Sequence, residues 1–513
     1  MSIAPLLRDD AKPTPEPWGT ALGRAARGGG LASLPPEIAF LGAQGISVDL
    51  LFEAEAQARR AGVTADAALL AEGWVTEERF YRCLADHLGA SFLERPMDVE
   101  GGTNPAMTIA AGVAALAPNR FGLTHVIAPR GEALRTLASL PRRRQGAAPH
   151  VVIATPRQFA AIVRRAAGGQ IADHASYALF RQGRSMSALG GMSNLQAAVA
   201  AVGAALLCFA LGWNLPVGLT VVSILCGMVF LVAILARLLA IAASDPPRLH
   251  RPRRRIPDHA LPTYTIIVPL HREARVARRI VSALEALDYP RAKVEIKFVV
   301  EADDRETVAA LASLHLPARY EIVIAPLGMP RTKPRALNIA LPFVRGDLVV
   351  VYDAEDEPEP GQLRDAADRF ALAPATVACL QAKLAIDNTE DSWLTRLFTI
   401  EYAALFDVLN PGLAALGMPI PLGGTSNHFR AEALRKAGGW DAWNVTEDAD
   451  LGIRLARCGY DVETLDSTTF EEAPARLGNW LGQRRRWLKG WMRLCAYSVE
   501  ASIFRDLGHI VAA

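Results

Sequence analysis

Charge is missing from residues 185–236, the stretch between Arg184 and Arg237. A bilayer-spanning helix needs about 20 apolar residues, so this stretch has room for two. Cysteine is scarce. Cys83, Cys208, Cys226, Cys379, Cys458 and Cys495 show no metal-ligand spacing, and they make no disulfide framework, which fits soluble parts facing a reducing cytoplasm. A large charge excess is also absent. The formal net charge is +2, so the total gives a nucleic-acid partner no support. No basic start leads into an apolar core at the N-terminus, so no cleavable signal peptide is expected. No solenoid-length repeat occurs.

What is present divides the chain. Residues 1–35 are rich in Pro, Gly, Ala and Arg and read as a disordered tail. Residues 36–185 read as a small α/β domain. Leu50, Leu51 and Ala54, then Phe80, Cys83 and Leu84, recur at helical spacing, and Thr76 before Glu77-Glu78 reads as a helix N-cap. Residues 190–243 form the expected transmembrane hairpin, with spans near Leu195–Leu215 and Val217–Ile241 and a turn at Trp213-Asn214-Leu215-Pro216. Arginines flank both outer ends, Arg181 and Arg184 before and Arg237 and Arg248 after, which places both ends in the cytoplasm. A buried helical hairpin in a soluble protein is the alternative.

From Tyr264 onward strands and helices alternate: Thr265–Pro269, Arg275–Leu287, Val294–Glu301, Glu306–Leu314, Glu321–Ala325 and Leu348–Tyr352. This order implies a mainly parallel α/β sheet, with ligands beyond the carboxyl ends of its strands. Val349-Val350-Val351-Tyr352 leads into Asp353-Ala354-Glu355-Asp356. If the strand continues, Asp353 and Glu355 face one way and share a cation. A solvated acidic loop fits the same letters. Glu301-Ala302-Asp303-Asp304 repeats the pattern, with Asp304 also placed to cap a helix. Pro330-Arg331-Thr332-Lys333-Pro334-Arg335 is a basic loop entering a helix, suited to an anion or merely to the surface. Gly423-Gly424 permits close backbone approach to a ligand, or makes a plain turn. Thr446-Glu447-Asp448 sits before a helix, with Thr446 as its cap or a carboxylate as general base. Gln483-Arg484-Arg485-Arg486-Trp487 offers guanidinium forks to phosphate and an indole to a sugar ring, or an amphipathic helix (481–513) lying on a membrane.

Taken in order, Val268-Pro269…Glu273, Asp303-Asp304, Lys333…Asn338, Asp353-Ala354-Glu355, Gly423-Gly424, Thr446-Glu447-Asp448 and Gln483…Arg486-Trp487 resemble a family 2 glycosyltransferase of the membrane-bound polysaccharide synthase type, related to cellulose, curdlan and hyaluronan synthases. The resemblance implies a GT-A fold over about 260–480 and inverting transfer of a hexosyl group from a nucleotide-diphosphate sugar, a UDP-sugar first, with Mg²⁺ or Mn²⁺. It implies that Asp303 and Asp304 contact the nucleotide. Pro269, Glu273 and Lys333 join them around the donor. Asp353 and Glu355 hold metal and diphosphate, with Glu355 standing where many members have Asp. Asp448 is the base. Gly424, Glu447 and Trp487 face the acceptor, and Gln483, Arg486 and Trp487 hold the diphosphate and acceptor sugar. The implied acceptor is a growing polysaccharide at the cytoplasmic face of the inner membrane. A nonprocessive enzyme with a glycolipid acceptor, or a degenerate transferase serving as a signal-responsive scaffold, is the alternative.

Residues 38–165 resemble the N-terminal domain of type II secretion and pilus ATPases, through Gly45-Ile46-Ser47, Ala71-Glu72-Gly73-Trp74-Val75-Thr76-Glu77-Glu78 and Leu84-Ala85…Leu88-Gly89. Some such domains bind cyclic di-GMP through an Arg-Leu-Gly segment before each of two glycines. Here those places read Pro36-Glu37-Ile38 and Thr64-Ala65-Asp66, so docking or scaffolding is expected. Residues Leu488–Ala513 hold no second long apolar span. The chain is therefore expected to be a piece of a longer protein, with an export partner or an oligomer as other sources of a channel.

Overall fold

The computed structural model describes residues 33–100, 104–146, 148, 150–244 and 255–512, without the side chains of 496–512. Most of the expected tail, 1–32, lies outside these residues.

Four short helices, Pro36–Gly42, Val48–Ala61, Ala65–Ala71 and Glu77–Leu88, bury Leu51, Leu69, Phe80 and Leu84 against one another. Thr76 caps the last of them, accepting from Arg79 N at 3.3 Å. The strands β1 (Ser91–Phe92), β2 (Val113–Ala115), β3 (His125–Ile127) and β4 (Val151–Ile153) follow, paired in the order β1-β4-β3-β2.

The uncharged stretch forms two helices, Asn194–Trp213 and Leu215–Ala243. Both are long and apolar enough to cross a membrane, with mean hydropathies of 2.1 and 2.8 and neither buried in the protein. Asn214 is the turn between them and caps the second, accepting from Val217 N at 3.3 Å. At Gly218 a side chain would come within 2.9 Å of Ala210 O, so the two backbones meet closely there.

The larger sheet has eight strands: β5 (Tyr264–Leu270), β6 (Val294–Glu301), β7 (Tyr320–Ala325), β8 (Leu348–Val351), β9 (Glu357–Pro358), β10 (Val377–Ile386), β11 (Asn427–Arg430) and β12 (Asp461–Glu471). Their order is β7-β6-β5-β8-β11-β10-β12-β9. The parallel arrangement expected from the sequence holds from β7 to β8 and again between β10 and β12. β11 is antiparallel to both β8 and β10, and β9 to β12, so the sheet is mixed. Successive residues alternate between faces. On β8, Val349 and Val351 join one core and Leu348 and Val350 the other.

The helix Gly168–Gln182, read from the sequence as part of the N-terminal domain, buries Ile171 and Ala175 in the first of these cores. A buried charge cluster also crosses the seam. Lys297 on β6 donates to Glu295 at 3.0 Å and Glu321 at 2.6 Å, and Arg164 from the N-terminal region donates to Glu321 at 2.6 Å. Burial pushes both carboxyls up, but the cations outweigh it. Lys297 and Arg345 bring Glu295 down to about 2, and Lys297 and Arg164 hold Glu321 well below the carboxylate range.

Candidate active site

The carboxyl ends of β5, β6 and β8 open on a cavity of about 510 Å³. Pro269 and Glu273 follow or end β5, Glu301 ends β6, and Asp353 and Glu355 follow β8. Lys333 is the first residue of the helix Lys333–Ala340, and Arg331 stands in the loop before it. Five of the residues singled out from sequence, Pro269, Glu273, Lys333, Asp353 and Glu355, thus share one wall.

The reason Asp353 and Glu355 meet is not strand alternation. β8 ends at Val351, and the acids lie in a turn. Asp356 builds that turn. It is buried, accepts from Asp353 N at 2.7 Å, and takes a hydrogen bond from Thr425 Oγ1. Burial and then the neighbouring Asp353 push the Glu355 carboxyl up. Among the described residues no three His, Cys, Asp or Glu side chains converge as a ready-made cation site. Two hard oxygen donors suffice for a cation whose other ligands are phosphate and water.

Lys333 joins this wall to the next. Its ammonium lies 2.5 Å from Asp353 Oδ1 and donates to Gly424 O at 2.7 Å. Burial disfavours its charge, but Asp353, Glu447 and Asp448 outweigh it and hold its pKa above the usual lysine value. An added side chain at Gly424 would come within 3.4 Å of Asp448 Oδ2, which puts Asp448 directly beside the Lys333 acceptor. Glu447 and Asp448 open the helix Glu447–Arg457. Burial raises both carboxyls, and each is close enough to feel Asp353 and Lys333. Thr446 does not cap this helix. It donates from N and Oγ1 to Asn444 Oδ1 at 3.2 and 3.3 Å.

Other expected residues stand apart. Asp304 spends its carboxylate on the backbone, accepting from Thr307 N at 3.2 Å and Arg272 N at 2.6 Å. It caps a helix and holds Arg272, a cavity residue, at φ +61. Asp303 is exposed and paired with Arg331. Gln483, Arg486 and Trp487 do not line the cavity. They lie on the helix Leu477–Ala512, where Trp487 packs near Phe398 and Arg486 is exposed. The engaged arginine of that run is Arg484. It pairs with Glu401 through both its terminal nitrogens and lies 4.8–5.1 Å from the Phe398, Trp480 and Trp487 rings.

One site residue escaped the sequence. Glu471 ends β12, hydrogen bonds with Tyr402, and feels Asp353, Glu355 and Lys333. Burial, with those carboxylates, pushes it to about 7. It stands at a strand end as Asp353 nearly does, but the strand before it, Asp-Val-Glu-Thr-Leu-Asp-Ser-Thr-Thr-Phe, is too polar to announce itself.

Residues 348–510 match the family described as "Glycosyl transferase family group 2". The chain is 27% identical over 238 residues to "Probable glycosyltransferase YdaM" of Bacillus subtilis (strain 168), covering 45% of this chain and 55% of that protein. It is 30% identical over 234 residues to "Beta-monoglucosyldiacylglycerol synthase" of Synechocystis sp. (strain ATCC 27184 / PCC 6803 / Kazusa), covering 45% and 48%. It is 25% identical over 261 residues to "Probable glucomannan 4-beta-mannosyltransferase 3" of Oryza sativa subsp. japonica, covering 48% and 45%. The chain spans about half the length of these curated relatives.

Proposed function

We propose that this chain carries a glycosyltransferase family 2 domain, and that it transfers a hexosyl group from a nucleotide-diphosphate sugar, a UDP-sugar first, to an acceptor hydroxyl with inversion at the anomeric carbon. The observation that supports this most is the bridge made by Lys333, between Asp353 on the cavity wall and Gly424 beside Asp448. It brings a cation for a leaving diphosphate next to a carboxylate able to act as base.

In this reading the acceptor oxygen attacks the anomeric carbon as the bond to the diphosphate oxygen breaks. The hydroxyl proton passes to Asp448. Its raised pKa suits a base working near neutrality. Lys333 stabilises the charge that develops on the diphosphate. Asp353 and Glu355 fit Mg²⁺ or Mn²⁺, because two crowded carboxylates beside the cavity are eased by a cation. Such an ion, when bound, supplies further positive charge to the leaving group. Asp303 and Glu273 are assigned to the donor. Gly424, Glu447 and Trp487 are assigned to the acceptor and Gln483 and Arg486 to the diphosphate, although Gln483, Arg486 and Trp487 stand on the long helix outside the cavity lining.

The acceptor is assigned as a growing polysaccharide at the cytoplasmic face of the inner membrane, with the two apolar helices as anchor. A second reading, a glycolipid acceptor, draws on the exposed apolar side chains of Trp393, Leu397, Ile400, Leu477 and Leu481 on the helices flanking Arg484. It also draws on what the Synechocystis relative is called. Incubating membranes with radiolabelled UDP-sugars and Mn²⁺ tests both. Label in polymer supports the first reading, and label in the organic extract supports the second. Absence of transfer from every nucleotide sugar tried overturns both.

A further inference from the structure

On the far side of the larger sheet, away from the candidate active site, the N-terminal domain and the larger domain meet at a cleft of about 310 Å³. It opens at the amino ends of β5 and β6, where Tyr264, Val294 and Glu295 line it. Its lining carries five cations, Arg130, Arg291, Lys293, Arg319 and Arg345, against three acids, Asp66, Glu77 and Glu295, and Arg291 and Arg319 are paired with Glu72 and Glu285 beyond it.

Arg130 comes from the N-terminal domain, half-buried, and its guanidinium makes no hydrogen bond or ion pair with any described residue. Burial and the like charge of Arg345 push its pKa down, so the ionised guanidinium sits there at a cost. Lys293, from the larger domain, is 5% exposed and donates to three backbone carbonyls, of Asp258, His259 and Leu261, at 2.7–2.9 Å. Those carbonyls satisfy its protons, and Asp258 and Asp347 only partly offset the burial of its charge. Arg345 does have a carboxylate, Glu295, but shares it with the buried Lys297.

The acids in the lining offset this only in part. Glu77 is paired with Arg157, and it also lies near enough to Arg130 and Arg345 to favour their charge. Asp66 is buried, its Oδ1 has no partner among the described residues, and burial raises its pKa. The backbone adds to the positive field. Gly131 lines the cleft and begins the helix Gly131–Ala138, which no side chain caps. Uncapped first-turn amides favour an anion.

We propose that this seam cleft is a binding site for a small phosphate-bearing anion, held between Arg130 of the N-terminal domain and Arg345 of the larger domain, so that binding strengthens the docking of one domain on the other. Arg130 and Arg345 supply fork-shaped donors matched to phosphate oxygens, and Lys293 adds charge from the wall. A ligand that binds only the docked arrangement stabilises it by mass action.

The test uses the purified full chain in detergent with inorganic phosphate as probe, titrated against chloride at equal ionic strength. At phosphate about ten times its Kd, the unfolding midpoint rises by roughly 1–2 °C. Lys333→Met keeps this rise, which separates the seam from the active site. Arg130→Gln loses it. Labelling by phenylglyoxal, read at Arg130 by mass spectrometry, gives a second readout without a variant, and phosphate slows it at least fivefold. Equal labelling of Arg130 with and without phosphate, or the same midpoint rise in Arg130→Gln, overturns the proposal.

Discussion

Gly490 of the long C-terminal helix lies against Thr446 of the turn that carries Glu447 and Asp448. A Cβ built at position 490 would collide with Thr446 Oγ1 and stand 2.8 Å from Thr446 Cβ. The helix that holds Gln483 and Trp487 is therefore seated on the proposed catalytic turn itself.

In a helix interior, Gly to Ala ordinarily stabilises by about 1 kcal/mol. Gly490→Ala is expected to do the opposite. It forces the helix off Thr446, lowering kcat at least tenfold while donor KM changes little. Steady-state kinetics with the best UDP-sugar, beside a melting curve, checks this.

Lys333→Met removes the cation shared by Asp353 and Gly424. Transition-state charge stabilisers of this kind are worth about 10²–10³ in kcat. A fall of that size in kcat, larger than the rise in donor KM, is expected from the kinetics of this variant.

The pH profile follows from Asp448, whose carboxyl is pushed up to about 6, first by burial. The ionised form is the active base. As pH falls through about 6, kcat/KM falls tenfold per unit, and above it the profile levels. Glu447, pushed up to about 8, is protonated where Asp448 ionises, so Glu447→Gln is expected to leave the inflection near 6, which a pH–rate profile of the variant would check.

The buried charges at the seam set acid stability. Glu295 falls from its ordinary 4.5 to about 2 on folding, as Lys297 and Arg345 outweigh its burial. A depressed carboxyl contributes stability that is complete above about 4.5 and is lost as pH falls toward 2. The contribution is about 3 kcal/mol. Removing one partner from such a cluster costs about 3–5 kcal/mol. Lys297→Met, at a lysine side chain only 2% exposed, is therefore expected to lower the melting midpoint at pH 7 and to flatten its fall in acid.

Much of this arrangement was legible in the letters. The valine run of β8 and the acids after it gave the strand and its site. The uncharged stretch gave two helices whose ends fall within about two residues of those expected. Thr76 and Asp304 were legible as caps because capping needs only local spacing. What failed depended on distant partners. Asp356, not strand alternation, turns Asp353 and Glu355 into the cavity. Asn444 occupies Thr446, so that residue does not cap. Arg484 rather than Arg486 is engaged, because Glu401 and three rings come from elsewhere in the chain or one turn away. The sheet turns mixed after β8 because β11 enters from a segment with no strand-like run. Glu471 reaches the site only through that pairing.

The most direct test of the proposed chemistry is Asp448→Asn, assayed for sugar transfer and for UDP-sugar binding in the same membranes. Binding within about twofold of the parent and transfer reduced by about 10²–10⁴-fold are expected. Transfer at the parental rate, with binding intact, would contradict that chemistry.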